Sequence, residues 1–217
     1  MENFILRICI QAPGLLLGIV LHEYAHAWAA LKFGDNTAKM QGRLTLNPVA
    51  HATIFGTVVF PLIGAAFGGM MFGWAKPVPI DGRNLKEYRK GMFWISFAGP
   101  LANVILGIIS SLLYVIVLTQ VGQDFYLYIP MISMLEAAVY INFILAFFNL
   151  IPFPPLDGSR MLTSFLNYEQ ARKYEELQRY GFVFLLILWT TPILGYILSP
   201  AYYLARGSIG LFFKMMA

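Results

Sequence analysis

Charge is scarce in this chain. Only 12% of its 217 residues are Asp, Glu, Lys or Arg, and 59% are hydrophobic, whereas a soluble domain is about half apolar and a quarter charged. With a mean hydropathy of +0.66, this excludes an ordinary soluble globule and indicates an all-α polytopic membrane protein. Cysteine is almost missing. A single residue, Cys9, excludes an internal disulfide and any thiolate metal cluster, and small apolar packing is its expected role. No repeat, low-complexity tract or separate soluble domain interrupts the chain, so residues 1–217 read as one domain. The first apolar run lacks a basic leader and a small-residue exit, which argues against a cleavable signal peptide. The net charge of +4 comes from basic loops, which membrane topology explains, and no nucleic-acid partner is expected.

Five apolar segments stand out, at about 8–31, 53–72, 92–118, 129–151 and 180–198, with a mixed tail from Pro200 to Ala217. At ~20 residues per crossing they predict about five or six transmembrane helices, the tail being either interfacial or a short sixth span. Lys32, Lys39 and Arg43 mark the first loop, Lys76, Arg83, Lys86, Arg89 and Lys90 the second, and Arg160, Arg172, Lys173 and Arg179 a later one. Residues 119–128 carry neither Lys nor Arg. The positive-inside rule then places 73–91 and 152–179 in the cytoplasm and 119–128 outside. Loop 32–52 joins the cytoplasmic set only if segment 53–72 does not cross once. Pro61, Gly64, Gly68 and Gly69 suit a re-entrant or broken element there, and a re-entrant element is the expected form. Residues 42–48 alternate like a short strand, which could pair with an unwound substrate.

Histidine is also rare, with three in all, yet two of them stand in His22-Glu23-Tyr24-Ala25-His26. On a helix, residues four apart project from one face and can reach one metal ion, and Glu23 can flank it as a general base. Ionisable groups at membrane depth are functional candidates. A catalytic zinc site uses three protein ligands and an open position. Among His51, Glu136 and Asp157, the aspartate is the best third ligand. It follows Asn149-Leu150-Ile151-Pro152-Phe153-Pro154-Pro155-Leu156, where the prolines stop a helix and extend the backbone, and Gly158 would permit a tight turn behind it.

These motifs resemble the site-2 proteases, the intramembrane zinc metalloproteases of peptidase family M50. The resemblance rests on His22-Glu23-x-x-His26, on Gly99-Pro100-Leu101-Ala102-Asn103 and on Asn149-x-x-Pro152-x-Pro154-Pro155-x-Asp157-Gly158. Residues 42–48 and Gly73-Trp74-Ala75-Lys76-Pro77-Val78-Pro79 are similar to its compact prokaryotic branch, without PDZ or CBS domains. It implies one zinc ion on His22, His26 and Asp157, with Glu23 as the catalytic residue. Asn149, and more weakly Asn103 and His51, would contact substrate or oxyanion. The implied core is about 8–160, with C-terminal helices about 176–217. The implied activity is endopeptidase cleavage of single-span membrane proteins in a prokaryotic cytoplasmic membrane. A metal-handling transporter and an inactive helix-binding relative are the competing classes. An intact Glu23 beside three ligands argues against both.

Overall fold

The computed structural model describes residues 2–66 and 75–216. The helix α1 (Glu2–Lys32) carries the first apolar run, α2 (Phe60–Ala66) is short, and α3 (Tyr88–Gln120) and α4 (Tyr128–Asn149) are long. Then come α5 (Asp157–Thr163), α6 (Tyr168–Glu175), α7 (Gly181–Thr190) and α8 (Ile193–Met216). Single turns at Thr37–Met40 and Pro48–His51 and a π-helical stretch Ile54–Val59 lie between α1 and α2.

The expected five to six spans are corrected here. Among the described residues three helices are long and apolar enough to cross, α1, α3 and α4, with a fourth if the bent pair of α6–α7 and α8 is one span. The break in that pair has a local cause. Thr191 precedes Pro192 and is forced into an extended conformation, with φ −112° and ψ 157°, because a proline ring disfavours the helical region for its predecessor. The chain turns by 75° there. Pro200, by contrast, lies inside α8, so the expected tail from Pro200 is the second half of a continuous helix. The expected strand over 42–48 is also corrected, since no strand forms among the described residues. Arg43 instead anchors that stretch, its backbone N–H bonding Ala38 O at 2.8 Å and its guanidinium donating to Lys76 O.

Three helices form the core that holds the site. Gly14 of α1 faces Ala138 of α4, and Gly18 faces Asn142, so these helices run parallel and in close contact. His22 meets Asn103 and His26 meets Ile95, so α3 runs antiparallel to α1. The absence of a side chain matters at Gly14, where a Cβ would lie 2.8 Å from the Ala138 Cα. Small residues allow such approach where lipid gives no hydrophobic drive for helices to associate. Ala27, Ala29 and Ala30 are likewise buried. The outer faces of α1 and α3 are apolar and exposed, with Leu16, Leu17, Ile105, Ile108 and Leu112 pointing outward. The chain is a multi-pass membrane protein. Cys9 is exposed rather than packed.

The excursion between α1 and α3 begins and ends at one point. The Lys86 N–H donates to Phe33 O at 3.2 Å, so 34–85 leaves and returns at the same end of the bundle. A single crossing in that interval is excluded by geometry. Within segment 53–72 the described part is only the π-helical stretch and α2, while Gly68 and Gly69 lie outside the described residues.

Candidate metal centre

His22 and His26 sit one turn apart on α1, both buried, with their Nε2 atoms 3.0 Å apart. Asp157 arrives from the other side. Its Oδ2 lies 3.0 Å from His22 Nε2 and 3.2 Å from His26 Nε2, and it is buried with no hydrogen-bond donor. One ligand atom from each residue lies within 4.8 Å of the others. Tetrahedral zinc with bonds of about 2.0–2.1 Å separates its donor atoms by about 3.3 Å, so the spacing fits. Polarity fits as well. The His26 Nδ1 is 2.6 Å from Ile95 O, and a carbonyl only accepts, so His26 carries its proton on Nδ1 and turns Nε2 inward. Acceptors converging on a buried orphan carboxylate oxygen call for a cation, and the cluster is compatible with zinc coordination.

Asp157 is delivered by the proline-rich exit of α4. Leu156, immediately before it, is extended, with φ −74° and ψ 157°, and Asp157 opens α5. The Pro154–Pro155 bond is cis. Gly158 is needed for a different reason from the expected tight turn. Among the described residues only Gly34 and Gly42 have positive φ, and Gly158 is helical. A Cβ at Gly158 would collide with the carbonyls of Leu150 and Ile151, so it serves close approach. The C-terminal helices brace this exit. Phe153 stacks on Phe184 of α7 at 3.8 Å, the Tyr174 hydroxyl donates to Pro152 O, and Ile151 and Leu156 pack with Leu188 and Leu198.

Glu23, on the same turn as the histidines, is half-buried and accepts the Val78 N–H on Oε2 at 3.0 Å. Val78 belongs to an extended strap, residues 75–81, tied down by the Lys76 N–H on His51 O at 2.9 Å and by the Asp81 N–H on Asp35 Oδ2 at 2.8 Å. Pro77 and Pro79 have no N–H to offer, so the strap's donors lie on the side that meets α1 and its flanking loops.

Of the remaining candidates, Asn103 is bonded to the cluster through His22. His51 is 1% exposed and bonds Thr45 O through Nε2 at 2.8 Å, while its buried Nδ1 meets no hydrogen-bond partner. Asn149 ends α4 with its amide on Leu145 O at 2.9 Å. Asn103 is fully buried, with Oδ1 2.6 Å from His22 Nδ1. Glu136 lines a lateral cavity of about 450 Å³ with Gln11, Tyr140 and Arg206, and no metal ligand borders it.

Gly99 of α3 is packed directly against both histidines. A Cβ built there would fall 2.6 Å from His22 Nε2 and closer still to His26 Nε2. Its backbone therefore borders the metal position directly. Asn142 of α4 is fully buried and bonded to Asn103. Gly99 and Asn103, four apart, share one face of α3.

A buried His–His–Asp cluster on an all-helical, multi-pass scaffold defines the class of membrane-embedded zinc metalloproteases. The chain belongs to peptidase family M50, whose model matches residues 11–129 and 122–188. It is 37% identical over 206 residues to YwhC of Bacillus subtilis, covering 90% of this chain and 86% of that protein. It is 30% identical over 187 residues to Rip2 of Mycolicibacterium smegmatis, covering 84% and 67%. The zinc metalloprotease MJ0392 of Methanocaldococcus jannaschii is 29% identical over 164 residues, 76% of this chain but 35% of that protein. No solved structure matches the chain.

Proposed function

We propose that this chain hydrolyses peptide bonds within the transmembrane segments of single-span membrane proteins, with His22, His26 and Asp157 as zinc ligands and Glu23 as general base. One observation carries the reading. Three acceptor atoms converge within 4.8 Å, and a second acidic group, Glu23, outside that set, stands on the same helical turn as the two histidines.

Zinc held there would supply Lewis acidity toward a carbonyl oxygen and acidify water. The chain's own groups do the rest. Glu23 takes the proton of the attacking water on a carboxylate oxygen and returns it to the leaving amine nitrogen. The Val78 N–H on Oε2 aims that carboxylate and leaves Oε1 for the proton. Asn149 would donate the second N–H of its amide to the substrate backbone or oxyanion, the first being held by Leu145 O. A metal-handling transporter needs no such non-ligand base beside its metal.

Detergent-purified protein is tested on a panel of single-span substrates. Glu23→Gln is expected to keep its zinc and lose cleavage by about 10²–10⁴-fold. Equal cleavage by both proteins, or no zinc in the wild type, overturns the assignment. Asn149→Ala is expected to lower turnover with zinc content unchanged, and normal turnover removes Asn149 from the mechanism.

A further inference from the structure

The amide chain behind His22 has a direction that can be read from its ends. Asn142 Nδ2 faces Ala138 O at 2.8 Å and Gly14 O at 3.4 Å. Both are backbone carbonyls and only accept, so the NH2 of Asn142 must point at them and its Oδ1 must point away. That Oδ1 lies 3.0 Å from Asn103 Nδ2, which is also 3.1 Å from Gly18 O. Both N–H groups of Asn103 are thereby committed to acceptors, and its Oδ1 is turned to His22 Nδ1 at 2.6 Å. An amide oxygen has no proton to give, so His22 must donate from Nδ1. Its Nε2 is left as a lone pair facing Asp157.

We propose that Asn103 and Asn142 form a polarised relay that starts on carbonyls of α1 and α4 and sets the tautomer of His22 for metal binding. Asn103 is a positioning residue that acts through His22 and does not touch substrate. Its three hydrogen-bond partners and complete burial leave no face for an oxyanion. Gly18 makes room for the relay, because a Cβ there would strike Asn142 Oδ1 and lie 3.3 Å from Asn103 Nδ2. The two ligand histidines are thus oriented by different means. His26 leans on a backbone carbonyl that no side-chain substitution removes, whereas His22 depends on two replaceable amides. Outer groups that accept from a ligating histidine commonly contribute 10–100-fold in metal affinity.

The inference rests on the zinc reading above, and its test separates the two. Zinc affinity is measured by chelator competition for wild type, Asn103→Leu and Asn103→Asp, alongside the rise in Tm on adding zinc. Asn103→Leu removes the acceptor, so zinc should bind about 10–100-fold more weakly and the metal-induced rise in Tm should shrink. Asn103→Asp keeps an acceptor for His22 but presents oxygen to Gly18 O and Asn142 Oδ1. Its zinc affinity should stay within about threefold of wild type while its metal-free Tm falls. A merely structural asparagine would lower Tm in both variants without separating their affinities.

Leucine and aspartate variants with equal affinity overturn the relay, as does Asn103→Leu binding like wild type. Should both variants fail to fold, histidine ¹⁵N spectra of zinc-loaded wild type decide it. A protonated His22 Nδ1 with metal on Nε2 supports the relay, and metal on Nδ1 overturns it. A wild type that binds no zinc defeats the metal reading itself.

Discussion

Gly99 shows how little room the metal position has. Its missing side chain is the space between the two imidazoles, and even a methyl group would sit within 2.6 Å of His22 Nε2. Gly99→Ala is therefore expected to abolish zinc binding while leaving α3 helical, since alanine is the better helix former. Metal analysis together with circular dichroism checks this, and retained stoichiometric zinc would refute it. Asp35 is a second single-residue determinant. It is fully buried and accepts from Thr37 N at 3.0 Å, Asn84 Nδ2 at 3.0 Å and Asp81 N at 2.8 Å, which moors the strap that carries Val78. Burial raises its carboxyl pKa, but the hydrogen bonds from Asn84, Thr37 and the Asp81 backbone prevail and hold it below its ordinary 3.8. The ionised form is thus favoured in the folded state. Its stabilising effect is complete above the unfolded carboxyl pKa and is lost as the pH falls below it. Asp35→Asn places an NH2 against donors and should lower stability by about 1–3 kcal/mol. Thermal unfolding at neutral pH should show that loss, with the gap from wild type closing under acid conditions.

At the scale of elements, the parallel contact of α1 with α4 decides whether Asp157 can reach the histidines. Gly14 and Gly18 set that contact, because Ala138 and Asn142 occupy the space their side chains would take. A larger residue at Gly14 must push the helices apart, since the obstacle at 2.8 Å is backbone and cannot rotate away. Gly14→Val is expected to destabilise the bundle by about 1–3 kcal/mol, the usual range for overpacking, and to weaken zinc binding in parallel. Equilibrium unfolding and metal titration of the same sample check both. A second element-scale feature is the break before α8. Thr191-Pro192 ends α7, whereas Pro200 is carried within α8. The difference is positional. Pro192 stands where the chain turns and its predecessor is extended, while helices in lipid tolerate a proline when neighbours satisfy the freed carbonyl.

For the whole molecule, the bond between Lys86 and Phe33 makes segment 34–85 an excursion that returns to one face. With α3 antiparallel to α1 and α4, the ends of α1 and α4 share a face and residues 121–127 lie at the opposite one. Combined with the charge pattern, this predicts residues 86 and 172 in the cytoplasm and residue 124 outside. The single native cysteine makes the test direct. In a Cys9→Ser background, Lys86→Cys and Arg172→Cys should resist an impermeant thiol reagent in whole cells, and Asp124→Cys should react. Labelling of residue 86 from outside would overturn this orientation.

Much of the site was legible without coordinates. His22 and His26 follow from a spacing of four on a helix, a local geometry that sequence alone determines. Glu23 follows from the same turn, and Asp157 from prolines that stop α4 whatever surrounds it. Hydropathy, which sums over residues independently, established the membrane class. Other features depended on contacts between distant segments. The span count came out at three or four because apolar composition does not say where a helix breaks or returns, as the stretch 53–66 and Thr191-Pro192 show. Residues 42–48 alternate like a strand, yet no strand forms there, and Arg43 bonds Lys76 across the fold instead. Gly99, Gly18, Asn103 and Asn142 owe their roles to which helix faces which and at what distance. Directional bonds between helices are set by packing, and no local sequence window contains both partners.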